Sequence, residues 1–208
     1  MIPSFIHLNK HQFKLRSFLI LIFCVAIYPI DSQIIEGQNF CDGNKKGAYF
    51  PLNIKEKFII WGDTYYVETH MGSESMNGKN YEIFKQEWES GDIGILHLRN
   101  KNGITYQFED CTNMESIRLN TKFKKSHSWE RKCENWKYRI VSKKGKLKTP
   151  LCKYNKLIVI EALIEGTRFH YYYLKGLGYI GATVNGELIS FLAPIHPSKL
   201  KKERYKRS

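Results

Sequence analysis

Three patterns in this 208-residue chain have residue types and spacings that could do chemistry. Gly176-Leu177-Gly178-Tyr179-Ile180-Gly181 fits G-x-G-x-x-G, which cradles a pyrophosphate when it opens a helix inside a βαβ unit. Here the next signal is the Asn185-Gly186 hairpin, so the glycines are expected at a bend or bulge where strands approach closely, and no nucleotide cofactor is expected. Serine catalysis needs a nucleophile on a strained elbow, a histidine base and an orienting acid. Gly72-Ser73-Glu74-Ser75-Met76 lacks the second glycine of that elbow, and His70, His97, His127, His170 and His196 are scattered. Glu87 and Glu89 share a strand face, as many solvated pairs do, whereas a glycosidase needs carboxylates across a cleft. No residue is assigned a catalytic, cofactor-binding or metal-binding role, and a non-catalytic protein is expected. A secreted hydrolase acting on envelope polymers is the alternative.

Cysteine is the next reactive type. Setting aside Cys24, which lies in an apolar run, Cys41, Cys111, Cys133 and Cys152 remain. None has the C-x-x-C spacing of a zinc site. In an oxidising compartment four such residues read as two disulfides, with three connectivities open.

Charge is unevenly spread. Residues 33–121 hold nine basic and thirteen acidic residues, whereas 122–148 hold eleven basic and two acidic. The basic segment interleaves Phe123, Trp129, Trp136 and Tyr138 with its lysines and arginines. Lys137, Arg139, Lys143 and Lys144 are the candidate anion-binding residues. Basic groups with aromatics can grip single-stranded nucleic acid, but an exported protein rarely meets one. Anionic glycans, lipid phosphates or acidic proteins are the partners such a surface fits. The other reading is a solvated strand face with its aromatics in the core.

Export is read from the start of the chain. Lys10, Lys14 and Arg16 precede the 14-residue apolar run from Ser17 to Ile30, and Asp31-Ser32-Gln33 follow. That order is a secretory signal peptide, and the run is shorter than the roughly 20 residues a membrane-crossing helix needs. A mature chain beginning at Gln33, secreted or periplasmic, is expected. An uncleaved anchor is the alternative. The division predicted is 1–32 signal peptide, 33–197 β-rich domain and 198–208 basic disordered tail.

The elements that must position these groups read as strands. Ile104, Tyr106 and Phe108 alternate with Thr105, Gln107 and Glu109, and Trp136, Tyr138 and Ile140 alternate with Lys137 and Arg139. Phe58 to Thr69 is rich in aromatic and β-branched residues, and Leu157 to Leu163 reads as a buried central strand. Asn77-Gly78, Asn185-Gly186 and Glu165-Gly166 mark turns, as does Lys143-Lys144-Gly145-Lys146. The fold class is all-β, mostly antiparallel sheet built from hairpins, with room for two curled lobes meeting near residues 110–130.

Several stretches carry a resemblance: Tyr49-Phe50-Pro51-Leu52, Asn77-Gly78-Lys79-Asn80-Tyr81, Leu98 to Tyr106, Lys148-Thr149-Pro150, and Tyr171 to Gly181 with Phe191-Leu192. Over residues 48–194 the chain resembles a group of small exported β-rich proteins of Bacteroidetes-type bacteria. The resemblance implies an exported β-rich domain and brings no activity. Ser126-His127-Ser128-Trp129 departs from it, where a Gly-Asp-Thr-Trp-like turn is expected. The function expected is a binding or cell-envelope-associated module with a basic surface. A polyanion or nucleic-acid binder is a further alternative.

Overall fold

A computed structural model describes residues 40–131, 133 and 136–200. The predicted signal peptide, and the tail beyond Leu200, lie outside these residues. Twelve strands run in chain order: β1 (Glu56–Trp61), β2 (Thr64–Met76), β3 (Lys79–Trp88), β4 (Ile93–Lys101), β5 (Ile104–Glu109), β6 (Met114–Asn120), β7 (Ser128–Glu130), β8 (Lys137–Lys148), β9 (Lys153–Ile164), β10 (Thr167–Leu174), β11 (Gly178–Val184) and β12 (Glu187–Ala193). All belong to one antiparallel sheet, ordered β6-β5-β4-β3-β2-β1-β12-β11-β10-β9-β8-β7. The sheet curls into a nearly closed barrel. Among the described residues no helix is long and apolar enough to cross a membrane.

Local chemistry accounts for the hairpins. Asn77-Gly78 (φ 50° and 70°) and Asn185-Gly186 (φ 51° and 88°) place both central residues at positive φ, which type I′ turns require and Asn-Gly tolerates. Strand neighbours in sequence therefore become neighbours in space. The chain forms two six-stranded meanders, β1–β6 and β7–β12, whose boundary falls within residues 110–130. They are halves of one sheet because β1 pairs with β12, from Phe58 opposite Ala193 to Trp61 opposite Ser190.

Phe58 to Thr69 spans parts of two strands, which turn at Gly62-Asp63. One local reading is corrected. Lys143 to Lys146 is not a turn: it lies inside β8, where the register against β9 shifts at Ser142, Gly145 and Leu147. The turn sits instead between β8 and β9, where the Thr149 hydroxyl accepts from the amides of Leu151 and Cys152 at 3.3 and 3.0 Å. Residues 197–200 form a helical turn.

One end of the barrel is covered by the strap of residues 40–55. Gly176 N donates to Ala48 O (2.7 Å), Asn44 N to Lys175 O (2.9 Å), and Asn100 Nδ2 to Phe50 O (3.0 Å). The Cys41–Cys152 disulfide (Cα separation 5.5 Å) ties the strap to the β8–β9 turn. The second disulfide, Cys111–Cys133 (5.9 Å), links the β5–β6 turn to the segment after β7.

Candidate functional site

Strand alternation sends every second side chain inward. On β1 the inward set is Lys57, Ile59 and Trp61; on β2 it is Tyr66 and Glu68; on β10 it is Phe169, Tyr171 and Tyr173. These line a cavity of about 550 Å³ inside the barrel. Trp61, Trp88, Trp136, Phe169 and Tyr171 form an aromatic wall, and Phe50 reaches in from the strap. The size and the apolar lining with a few placed polar groups are those of a small-molecule pocket.

The polar groups form two networks. Lys57, 3% exposed, places Nζ 3.1 Å from Glu68 Oε1, and Gln86 Nε2 donates to Glu68 Oε2 at 2.8 Å. Burial alone would raise the Glu68 carboxyl, but Lys57, Gln86 and Arg118 outweigh it and hold it below its ordinary value. Arg118 Nη1 donates to Gln107 Oε1 at 3.2 Å. In the second network Arg131, 5% exposed, grips Glu109 with Nε to Oε1 at 2.9 Å and Nη2 to Oε2 at 3.2 Å, while Ser116 Oγ donates to the same carboxylate. Tyr66, Tyr173 and Tyr179 share the cavity, and burial pushes all three phenols up, so they stay protonated hydrogen-bond donors. Tyr179 Oη and Ser190 Oγ are buried near one another, and neither makes a hydrogen bond of ordinary geometry among the described residues.

Two bulges aim key side chains. Thr105 pairs with Leu119 but Tyr106 with Ile117, so Arg118 is the extra residue of β6. Tyr172 pairs with Gly181 but Tyr173 with Tyr179, so Ile180 is extra in β11. A bulge re-aims its neighbours, which is how Arg118 and Tyr179 come to line the cavity. Gly181 belongs to the G-x-G-x-x-G run, and a Cβ there would stand 2.5 Å from Ser190 O. The run thus serves close strand approach, as expected, and opens no helix.

A more open polar cleft of about 650 Å³ lies between the strap and the barrel end, lined by Asn44, Asn53, Asn80, Asn100, Arg99 and the His70–Glu82 pair. His70 Nε2 is 2.6 Å from Glu82 Oε2. Arg99 is held by Glu115, which also accepts from Lys79 Nζ (2.6 Å) and Tyr81 Oη (2.7 Å). Arg99 beside Glu115 holds its carboxyl down at about 2, burial opposing.

The four candidate anion-binding residues lie on β8, away from the cavity. Lys137, Arg139, Lys143 and Lys144 are exposed, while Tyr138 and Ile140 between them are buried. Lys137 Nζ is 3.6 Å from Glu130, Arg139 Nε is 2.8 Å from Glu161, and Lys143 Nζ donates to Thr121 O at 2.9 Å. The histidines do not converge: His70 meets Glu82, His97 lies 4.0 Å from Glu74, His170 is 3.5 Å from Glu161, His127 packs on Phe123 and His196 on Phe58. Glu87 pairs with Lys85 at 2.7 Å, and Glu89 lies beyond the end of β3.

Sequence reading missed Lys57, Glu68, Arg118 and Arg131 as lumen residues. The available signal was their spacing: each shares strand parity with an aromatic two or four positions away, or sits at a break in alternation.

No protein-family model matches the chain, and no curated protein matches it. In structure it is similar to a candidate exported protein with a YmcC-like fold from Bacteroides fragilis, at 9% identity and a TM-score of 0.42, covering 71% of this chain and 97% of that one. That description is of the kind the sequence resemblance named, and a likeness at this TM-score carries no argument about fold or function.

Proposed function

We propose that this chain is an exported, non-catalytic binding module that holds a small, largely apolar molecule inside its barrel. The observation that carries the reading is the 550 Å³ cavity with its aromatic wall and a few buried polar groups. Export is supported by the signal-like N-terminal segment, and four cysteines paired in two disulfides suit an oxidising compartment. The hydrolase alternative gains little, because both carboxylates of the cavity networks, Glu68 and Glu109, are each engaged by several donors. A polyanion-binding outer face is the second reading, favoured by the outward set of Lys137 and Arg139 opposite Tyr138.

The test is saturable binding of a neutral apolar dye, N-phenyl-1-naphthylamine, read by energy transfer from the cavity tryptophans. One equivalent should bind, and Leu96→Trp, which fills the cavity, should abolish binding while the protein stays folded. Absence of saturable binding, or binding that Leu96→Trp leaves unchanged, sinks the reading.

A further inference from the structure

The polar cleft of about 650 Å³ between the strap and the barrel end takes no part in the cavity reading. On β3, buried Phe84 stands between Glu82 of the cleft and Gln86 of the cavity, all three on one face of the strand. On β4, buried Leu98 stands likewise between Asn100 and Leu96. His70 pairs with Phe84 but Gly72 with Ile83, so Met71 is the extra residue of β2, and this bulge aims His70 at the cleft. The charges of the cleft are paired within it: His70 Nε2 is 2.6 Å from Glu82 Oε2, and Arg99 is held by Glu115. What remains on offer is amide. Asn53 and Asn80 are exposed, and their side chains make no hydrogen bond among the described residues. Asn44 Oδ1 accepts from Lys46 N at 3.0 Å, which leaves its Nδ2. Asn100 Nδ2 donates to Phe50 O and its Oδ1 accepts from Thr105 Oγ1 at 2.7 Å, so each group keeps one place.

We propose that this cleft is a second binding site, for a neutral saccharide, with ring hydroxyls on the amides of Asn44, Asn53 and Asn80 and on the His70–Glu82 pair, and with an apolar C–H face against Pro51 and Leu52. A side-chain amide carries donors and an acceptor on one planar group. A sugar hydroxyl is likewise both donor and acceptor, so a ring with adjacent hydroxyls matches several amides at once. A carboxylate or phosphate needs donors alone, and Arg99, the arginine that lines the cleft, is already engaged by Glu115 through two of its nitrogens. An organic cation needs acceptors alone, and the Glu82 carboxylate is taken by His70. An open polar cleft also suits a strongly hydrated ligand, which an apolar lumen disfavours. The two sites are independent, because the buried layer of Phe84 and Leu98 lies between them.

The probes are maltotriose, cellotriose and chitotriose, titrated into the protein and read by saturation-transfer NMR and calorimetry. At least one should bind saturably. Asn53→Ala together with Asn80→Ala should weaken it at least about tenfold, two hydrogen-bonding groups being lost. Tm should stay unchanged, because both side chains are exposed. The same double variant should take up N-phenyl-1-naphthylamine as the unaltered protein does, and Leu96→Trp should leave the saccharide bound, so that failure of one site is seen apart from the other. In the unaltered protein the saccharide should shift the side-chain amide resonances of Asn53 and Asn80, a measurement that needs no variant. If none of the three binds, or if the double variant binds as tightly as the unaltered protein, the cleft assignment is overturned and the cavity reading stands. If Leu96→Trp abolishes saccharide binding, the sugar occupies the lumen and the cleft assignment falls.

Discussion

The barrel closes on itself at two places, by different means. Between β1 and β12 the join is a backbone ladder running from Phe58 opposite Ala193 to Trp61 opposite Ser190. Between β6 and β7 the strand order ends on both sides and side chains bridge the gap. Trp129 Nε1 donates to Ile117 O at 3.0 Å, Arg131 grips Glu109, Lys143 reaches Thr121 O, and Cys111–Cys133 staples the two flanks. A ladder distributes its strength over many equivalent bonds. A side-chain seam concentrates it in a few residues, which makes it the more fragile join.

Breaking the buried ion pair should have the largest effect. Arg131→Met leaves Glu109 as an uncompensated buried charge, so a loss of about 3–5 kcal/mol is expected in urea unfolding. Arg139→Met removes a pair of similar geometry whose arginine side chain is 45% exposed, and should cost less than about 1 kcal/mol. The double change Arg131→Met with Glu109→Leu should recover most of the loss. Equal effects of the two single changes would show that the seam is no weaker point than the outer wall.

The seam disulfide comes next. Cys111 and Cys133 are 22 residues apart, and removing a bridge over such a loop costs about 3 kcal/mol. Replacing both with serine should also speed hydrogen exchange in β6 and β7 while leaving β1 and β12 unchanged. Uniform acceleration across all four strands would mean that the two joins open together.

A smaller effect is a pH dependence from outside the seam. The Glu115 carboxyl lies at about 2 instead of 4.5 because Arg99 holds it ionised. A depressed folded value means that this contribution is complete above pH 4.5 and is lost as pH falls from there toward 2. It should be on the order of 2 kcal/mol, and Glu115→Gln should flatten the stability profile across that window.

Much of the fold is legible in residue types, and the site is not, for a physical reason. Alternation in Ile104 to Glu109 and the Asn-Gly turns are local, and they fix strands and hairpins. Alternation also divides each strand into two faces, but which face is the interior depends on closure, a property of the whole sheet. Lys57 and Glu68 read as solvated charges until β1 meets β12 and turns both inward. Arg118 is harder still, because a bulge overrides its parity. Ser126 shows the reverse case. Its departure from the expected glycine turn lands on a positive φ of 73°, so Ser126→Gly should stabilise the protein by about 1 kcal/mol, read as a rise in Tm.

The smallest expected effect belongs to the outer wall of β8, where the basic residues are. Arg139 is held by Glu161, whose carboxyl lies below its ordinary value because of that contact, and Lys137 lies near Glu130. Two of the four candidate anion-binding residues therefore bring little uncompensated charge to a polyanion. Lys144 and Lys143 bring more, although Lys143 is turned toward Thr121 O. Heparin affinity should consequently fall only about threefold when Lys137, Arg139, Lys143 and Lys144 become serine, and that difference should vanish at high salt, since exposed charges are screened over about 8–10 Å at physiological ionic strength. The basic tail could produce the same binding by itself, so the comparison uses chains ending at Pro197. If ending the chain there abolishes heparin binding, the barrel wall has no anionic site. If both truncated forms bind equally, these four residues are an ordinary solvated face. A loss far above threefold would show that the wall is built for anions.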